Sequence, residues 1–186
     1  MKKDVIVLGI HDGHNSGAAI VKNGKVLAAI SEERLRNIKN YSGTPSMAIK
    51  AVFDITKINP EDIDLIAIGC LIRTHPPLVE EPFFVKIYRK IIPYIHGHFF
   101  SKLYVSGLHR FRKMSELKEI FREIKIDDKE IIFVEHHLSH AACAYYTRPW
   151  DDKTLVLTLD GSGDGVSSTV NIGEGYKIKR IAWSTS

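Results

Sequence analysis

His136 and His140 stand at i and i+4, and Asp160 follows them at the end of an apolar run of strand length, TLVLTLD. On a helix those two positions share a face, so both imidazoles leave the same side, close enough to grip one ion. A carboxylate at the C-terminal end of a strand projects where open α/β sheets place their ligands, which gives Asp160 a route to the same ion. Two imidazoles and a carboxylate suit iron, zinc or manganese about equally on ligand chemistry. His137 adjoins the pair and could partner His140 at i+3 instead. The residue after His136 is not glutamate, so the HExxH arrangement is absent and a peptidase would lack its general base. The ordinary alternative is a pair of hydrogen-bonded histidines with no ion.

Gly161, Ser162, Gly163, Asp164 and Gly165 make the densest glycine turn of the chain. Small side chains let backbone N–H groups approach an anion. An ordinary hairpin needs one Asp-Gly, so Gly161 and Gly163 are a surplus that points to ligand contact. Arg34, Arg36 and Lys39 could neutralise a phosphate, or form a solvated basic edge. His11, Asp12, His14 and Asn15 occupy a polar turn and could simply cap one another there. Cys143 follows His140 by three positions, but among Ala141, Ala142 and Ala144 it reads as a small core residue.

The elements that must position these groups are legible from periodicity. VIVLGI, GAAIVK and KVLAAISEE read as three antiparallel strands, the last two joined by Asn23-Gly24, a hairpin signal in which both residues tolerate positive φ. Apolar Met47, Ala48, Ala51, Val52 and Ile55 predict a helix over Pro45 to Ile58, started by Thr44 with proline at its first position. DLIAIGC reads as a buried strand, SELKEIFREI as a helix with Ser115 suited to the N-cap, and EIIFVE as another buried strand. The histidine helix then runs from near Glu135 to before Pro149. TLVLTLD reads as a buried strand.

Three blocks, GHNSGAAIVKNGKVLAAISEERLRNIK, VEHHLSHAACAYY and LTLDGSGDGVSSTV, resemble the NodU/CmcH-type O-carbamoyltransferases in both content and order. The resemblance implies that His136, rather than His137, joins His140 and Asp160 as metal ligands, that the metal is iron, and that His14 is catalytic. An imidazole at His14 could donate to a carbamoyl oxygen as negative charge gathers there. It also implies ATP and carbamoyl phosphate as substrates. Carbamoyl adenylate would be made in a YrdC-like domain and passed to the hydroxyl of a small-molecule acceptor. Gly161, Ser162, Gly163, Asp164 and Lys39 are then the substrate- or nucleotide-binding candidates. Such enzymes are longer than this chain, which ends at Trp183-Ser184-Thr185-Ser186, so a carboxy-terminal lobe and the YrdC-like domain are expected as partners in cis or in trans.

The chain's 186 residues, 44% hydrophobic, can bury a sizeable core. VLGIHDGHNSGAAIVKNGKVLAAI can be laid over VLTLDGSGDGVSSTVNIGEGYKIKRIA, strand on strand and turn on turn. That pattern suggests an α/β protein of the actin, hexokinase and Hsp70-like (ribonuclease H-like) class. Residues 1–150 would be one lobe and 151–186 the opening strands of the second. The amino-terminal run passes into HDGHNSG and reads as a strand instead of a signal peptide, and no run has transmembrane length. Cys70 and Cys143 fit no CxxC pattern, which suggests reduced thiols and a cytoplasmic protein. Residues 71–114 carry eight Lys or Arg against two Glu, with eight interleaved aromatics. Such a stretch can bind nucleic acid, a membrane surface or an anionic substrate, but its prolines interrupt any long amphipathic helix. It reads as an insertion covering the cleft, or as a packing flap. An ATPase or sugar-kinase-like protein of the same class leaves the HxxxH pair without a role. The remaining alternative is a non-catalytic nucleotide-binding or partner-pairing lobe.

Overall fold

The computed structural model describes residues 4–71 and 114–185, so the basic aromatic stretch, apart from its two end positions, lies outside the described residues. The strands are β1 (Ile6–His11), β2 (Gly17–Lys22), β3 (Lys25–Ser31), β4 (Leu65–Gly69), β5 (Glu130–Val134), β6 (Thr154–Gly163), β7 (Val166–Glu174) and β8 (Lys177–Thr185). The helices are α1 (Glu32–Arg36), α2 (Ser46–Thr56), α3 (Ser115–Glu123) and α4 (His136–Tyr146).

Two sheets result, a five-stranded one in the order β3-β2-β1-β4-β5 and a three-stranded one in the order β6-β7-β8. In the first, β1 to β3 form an antiparallel meander, while β4 pairs parallel to β1 and β5 parallel to β4. The second is also an antiparallel meander, so the two stretches that align in sequence adopt the same local topology. Asn23 and Gly24 both have positive φ, at 51° and 80°, as the tight turn between β2 and β3 demands. The main core gathers Leu8, Ile20, Ile66 and Ile68 from the sheet with Ile49 and Val52 of α2 and Leu117 and Phe121 of α3.

Several local expectations are corrected. The third strand stops at Ser31, and Glu32 opens α1. Helix α2 has Pro45 at its N-cap position without a side-chain cap. Its leading N–H groups are capped from a distance: the fully buried Glu32 carboxylate accepts from Met47 N at 3.2 Å and Ala48 N at 2.7 Å, and from Arg36 Nε at 2.6 Å. Anionic capping at a helix N-terminus is favoured by the orphan amides and the dipole. The apolar stripe of α2 is rotated from its expected position, with Ala48, Ile49, Val52 and Phe53 inside and Met47 and Ile55 exposed. Helix α3 begins with Met114, not Ser115, at the N-cap.

Two strands read as buried are half-exposed. β5 is the edge of its sheet, leaving Phe133 45% exposed. In β6 the side chains alternate, with Val156 and Thr158 buried against α4 and Leu155, Leu157 and Leu159 pointing outward. Only one face of the small sheet is packed among the described residues, and a pleated strand delivers alternate residues to that face. Cys143 is exposed rather than in the core.

Candidate metal centre

Helix α4 follows β5 directly, with Glu135 as its N-cap. The Glu135 side chain accepts from Leu138 N at 2.7 Å and is paired with Arg180 of β8. The opposite flank of the helix is held by Ala141 and Tyr145, which pack on Val156. Two glycines let the helix approach the small sheet. A Cβ on Gly173 would lie 2.1 Å from Tyr145 Cε2, and one on Gly163 would lie 2.0 Å from His136 Cδ2. Gly163, singled out as surplus for an anion, therefore has a packing role beneath the His136 ring.

His137, the alternative ligand, is fully buried, and both its ring nitrogens are engaged. Nε2–H donates to the Val166 carbonyl at 2.9 Å, and Nδ1 accepts from the Thr158 hydroxyl at 2.7 Å. The Thr169 hydroxyl donates to Thr158 at 2.6 Å and receives Asn171 Nδ2–H at 2.7 Å. This chain of donors has one consistent direction, fixing His137 as the neutral Nε2–H tautomer. A histidine so held anchors α4 to the sheet and has no lone pair left for an ion.

His136 and His140 face the other way. Their Nε2 atoms are 3.0 Å apart, and Asp160 Oδ2 lies 2.6 Å from that of His136 and 3.5 Å from that of His140. Asp160 continues the alternation of Val156 and Thr158 toward α4, at the point where β6 loses its register with β7. Gly161 N–H donates to the second oxygen, Oδ1, at 2.6 Å. Two bonds of ~2.1 Å meeting at 90–109° separate their ligand atoms by roughly 3.0–3.4 Å. The two separations from His140 lie close to that range, while the 2.6 Å between His136 and Asp160 is a hydrogen-bond distance that a bound ion would widen. The donor set, two imidazole nitrogens and one carboxylate oxygen, has the composition of a 2-His-1-carboxylate triad.

The electrostatics favour the ligating protonation states. The hydrogen bond from His136 holds the Asp160 carboxyl below its ordinary 3.8, with help from the Gly161 amide and the two imidazoles. Partial burial lowers His140 below its ordinary 6.5, and the neighbouring His136 adds to the effect.

His14 is exposed, and its backbone forms an isolated bridge with Ser42. The His11 ring is centred 6.5 Å from that of His136, edge to face, and His11 Nε2–H donates to the His14 carbonyl at 3.0 Å. Gly161 is exposed with open space where a Cβ would stand. Ser162 lies beside it in the bulge. Asp164 turns inward, its Oδ2 accepting from His136 N at 2.8 Å and Leu71 N at 3.0 Å. Lys39 is exposed after α1, whereas Arg36 is occupied by Glu32 and Ser46.

Residues 6–186 match the family described as Carbamoyltransferase N-terminus. The chain belongs to this carbamoyltransferase family. Nodulation protein NolNO of Sinorhizobium fredii is 31% identical over 169 residues, a span covering 91% of this chain and 22% of that protein. Uncharacterized protein MJ1051 of Methanocaldococcus jannaschii is 27% identical over 180 residues, covering 96% of this chain and 26% of that one. The chain thus spans 22–26% of the length of these curated relatives. Among solved structures, YeaZ from Pseudomonas aeruginosa is similar at a TM-score of 0.45 and 10% identity, over 97% of this chain and 67% of that one.

Sequence reasoning gave His11 little weight and missed Cys70 and the inward role of Asp164. Cys70 lies one residue beyond β4, and the parallel pairing of Ile10 with Ile68 brings the C-terminal ends of β1 and β4 side by side. That end of a parallel pair is where α/β sheets collect functional groups, which was the available signal.

Proposed function

We propose that this chain is the metal-bearing, amino-terminal portion of an O-carbamoyltransferase of actin-like fold, with iron held by His136, His140 and Asp160. The observation that carries the reading is the convergence of His136 Nε2, His140 Nε2 and Asp160 Oδ2 within 3.5 Å of one another, in a chain of this family. The strand order, with one meander extended by two parallel strands and a second meander following, supports the actin-like assignment. Residues 151–186 then open a second lobe. The exposed outer face of β6 fits a sheet that packs against further chain.

The reaction joins an acceptor hydroxyl to the carbamoyl group of carbamoyl adenylate, itself made from ATP and carbamoyl phosphate, and releases AMP. A bound metal would supply Lewis acidity and alignment for the adenylate at this site. The chain's own contributions are positional and electrostatic. His136, His140 and Asp160 bring three donors together for the ion. Gly161, with no side chain and open space where a Cβ would stand, leaves room for a phosphate to approach the backbone, with Ser162 and Lys39 the further candidates for binding that anion. From the first turn, His14 donates to the carbamoyl oxygen as the tetrahedral centre gathers negative charge, with His11 fixing the His14 backbone.

The direct test combines the chain with the carboxy-terminal portion its relatives carry and follows AMP release from carbamoyl adenylate against transfer to a hydroxyl acceptor. Transfer that vanishes with His136→Ala and falls 10²–10⁴-fold with His14→Ala is the expected result, that range being typical of a positioned general acid. Undiminished transfer in both variants would refute the reading.

A further inference from the structure

His136 has a second ring nitrogen, and its surroundings are built. Cys70 Sγ lies 3.7 Å from His136 Nδ1 and 3.6 Å from Asp164 Oδ1, both within reach of hydrogen bonds to sulfur. A thiol has one proton to give and a lone pair to accept with, and a carboxylate only accepts. With the Nε2 proton displaced by an ion, the three groups order themselves in one direction: Nδ1–H of His136 donates to Cys70 sulfur, and the Cys70 S–H donates to Asp164. Asp164 at the same time takes the backbone N–H groups of His136 and Leu71 on its other oxygen.

The backbone at both residues is unusual. Cys70 has φ +88°, a region that side-chain-bearing residues avoid, while its N–H is bonded to the Val134 carbonyl at 2.7 Å. The residue is 4% exposed, and the strained conformation delivers the thiol to His136 instead of continuing the strand. Asp164 also has positive φ, at 54°, and with Gly165 at 80° it closes the tight β6–β7 turn. That turn aims a carboxylate at the first amide of α4. Two local costs thus converge on one imidazole.

We infer that Cys70 and Asp164 are positioning residues for His136, acting as an outer pair that holds Nδ1–H and so presents the Nε2 lone pair to the ion. The inference rests on the proposed metal site. Outer partners of metal-bound histidines fix ring orientation and tautomer and raise ligand basicity, and their loss weakens metal binding by about 10- to 100-fold. Here the partners come from β4 and from the β6–β7 turn. The His136 ring is thereby tied to both sheets at once.

The test is competitive Co(II) titration of the full chain against a chromogenic chelator, paired with amide hydrogen exchange of the metal-free protein. Cys70→Ala and Asp164→Asn should each weaken Co(II) by about 10- to 100-fold, whereas Cys70→Ser, which keeps both an acceptor and a donor, should recover most of the loss. Cys70→Gly removes the thiol while suiting the positive φ, and serves if the alanine variant fails to fold. Wild-type affinity in Cys70→Ala or Cys70→Gly would overturn the inference. If wild type binds no Co(II), the metal-site reading fails by itself and exchange decides the positioning role. Faster exchange at His136 and Leu71 in Asp164→Asn, with core amides unchanged, supports it, and unchanged exchange at both removes it.

Discussion

Asp160 Oδ2 meets His136 Nε2 at 2.6 Å although 24 residues separate the two. The contact exists because α4 presents His136 on the flank opposite the one anchored by His137, while Asp160 follows Val156 and Thr158 on the face of β6 turned to α4.

Acidification should destabilise the metal-free protein in two windows. His140 has a folded value below 6.5, so between those values the unfolded chain binds more protons, and stability falls as pH drops through that range. Asp160 has a folded value below 3.8, so its contribution is fully present above that pH and is lost as pH falls through the lowered value. Urea midpoints measured across this range should decline in both windows, and His140→Ala should remove the first. Both groups are partly exposed, so the steps should be small and should shrink with salt.

Gly163→Ala should damage the site out of proportion to its size. The added methyl would overlap the His136 ring, with overpacking costing about 1–3 kcal/mol and the ring displaced from Asp160. Gly173→Ala is the matched control, because its methyl would strike Tyr145 on the far side of the helix. Chemical denaturation should show loss in both variants, whereas metal titration should show the larger loss in Gly163→Ala. Equal metal affinities would mean that the His136 position does not depend on Gly163.

Glu32→Ala should cost about 2–4 kcal/mol, because it leaves Arg36 without its partner and uncaps Met47 and Ala48. Circular dichroism under urea would register the change. Metal binding by the folded variant should stay as in wild type, since α2 packs on the sheet away from α4.

The strands, the helices and the metal-ligand candidates were legible in the sequence because each rests on local periodicity: the alternation in GAAIVK, the Asn23-Gly24 turn, the i, i+4 spacing of His136 and His140. What local pattern does not carry is partner choice. Glu32 looked like the end of a strand, and its work as the cap of α2 depends on a contact 16 residues away. Leu155, Leu157 and Leu159 looked buried because an apolar run does not say whether one face or both will be covered. Cys70 appeared as an isolated cysteine, since its positive φ and its place beside His136 arise only when β4, α4 and the β6–β7 turn assemble.

Metal content tests the central claim most directly. Purified chain, loaded with Fe(II) without oxygen and desalted, should retain about one ion per molecule by elemental analysis, and the His136→Ala/His140→Ala double variant should retain none. Equal occupancy in the wild type and the double variant would contradict the assignment of His136, His140 and Asp160 as the metal centre.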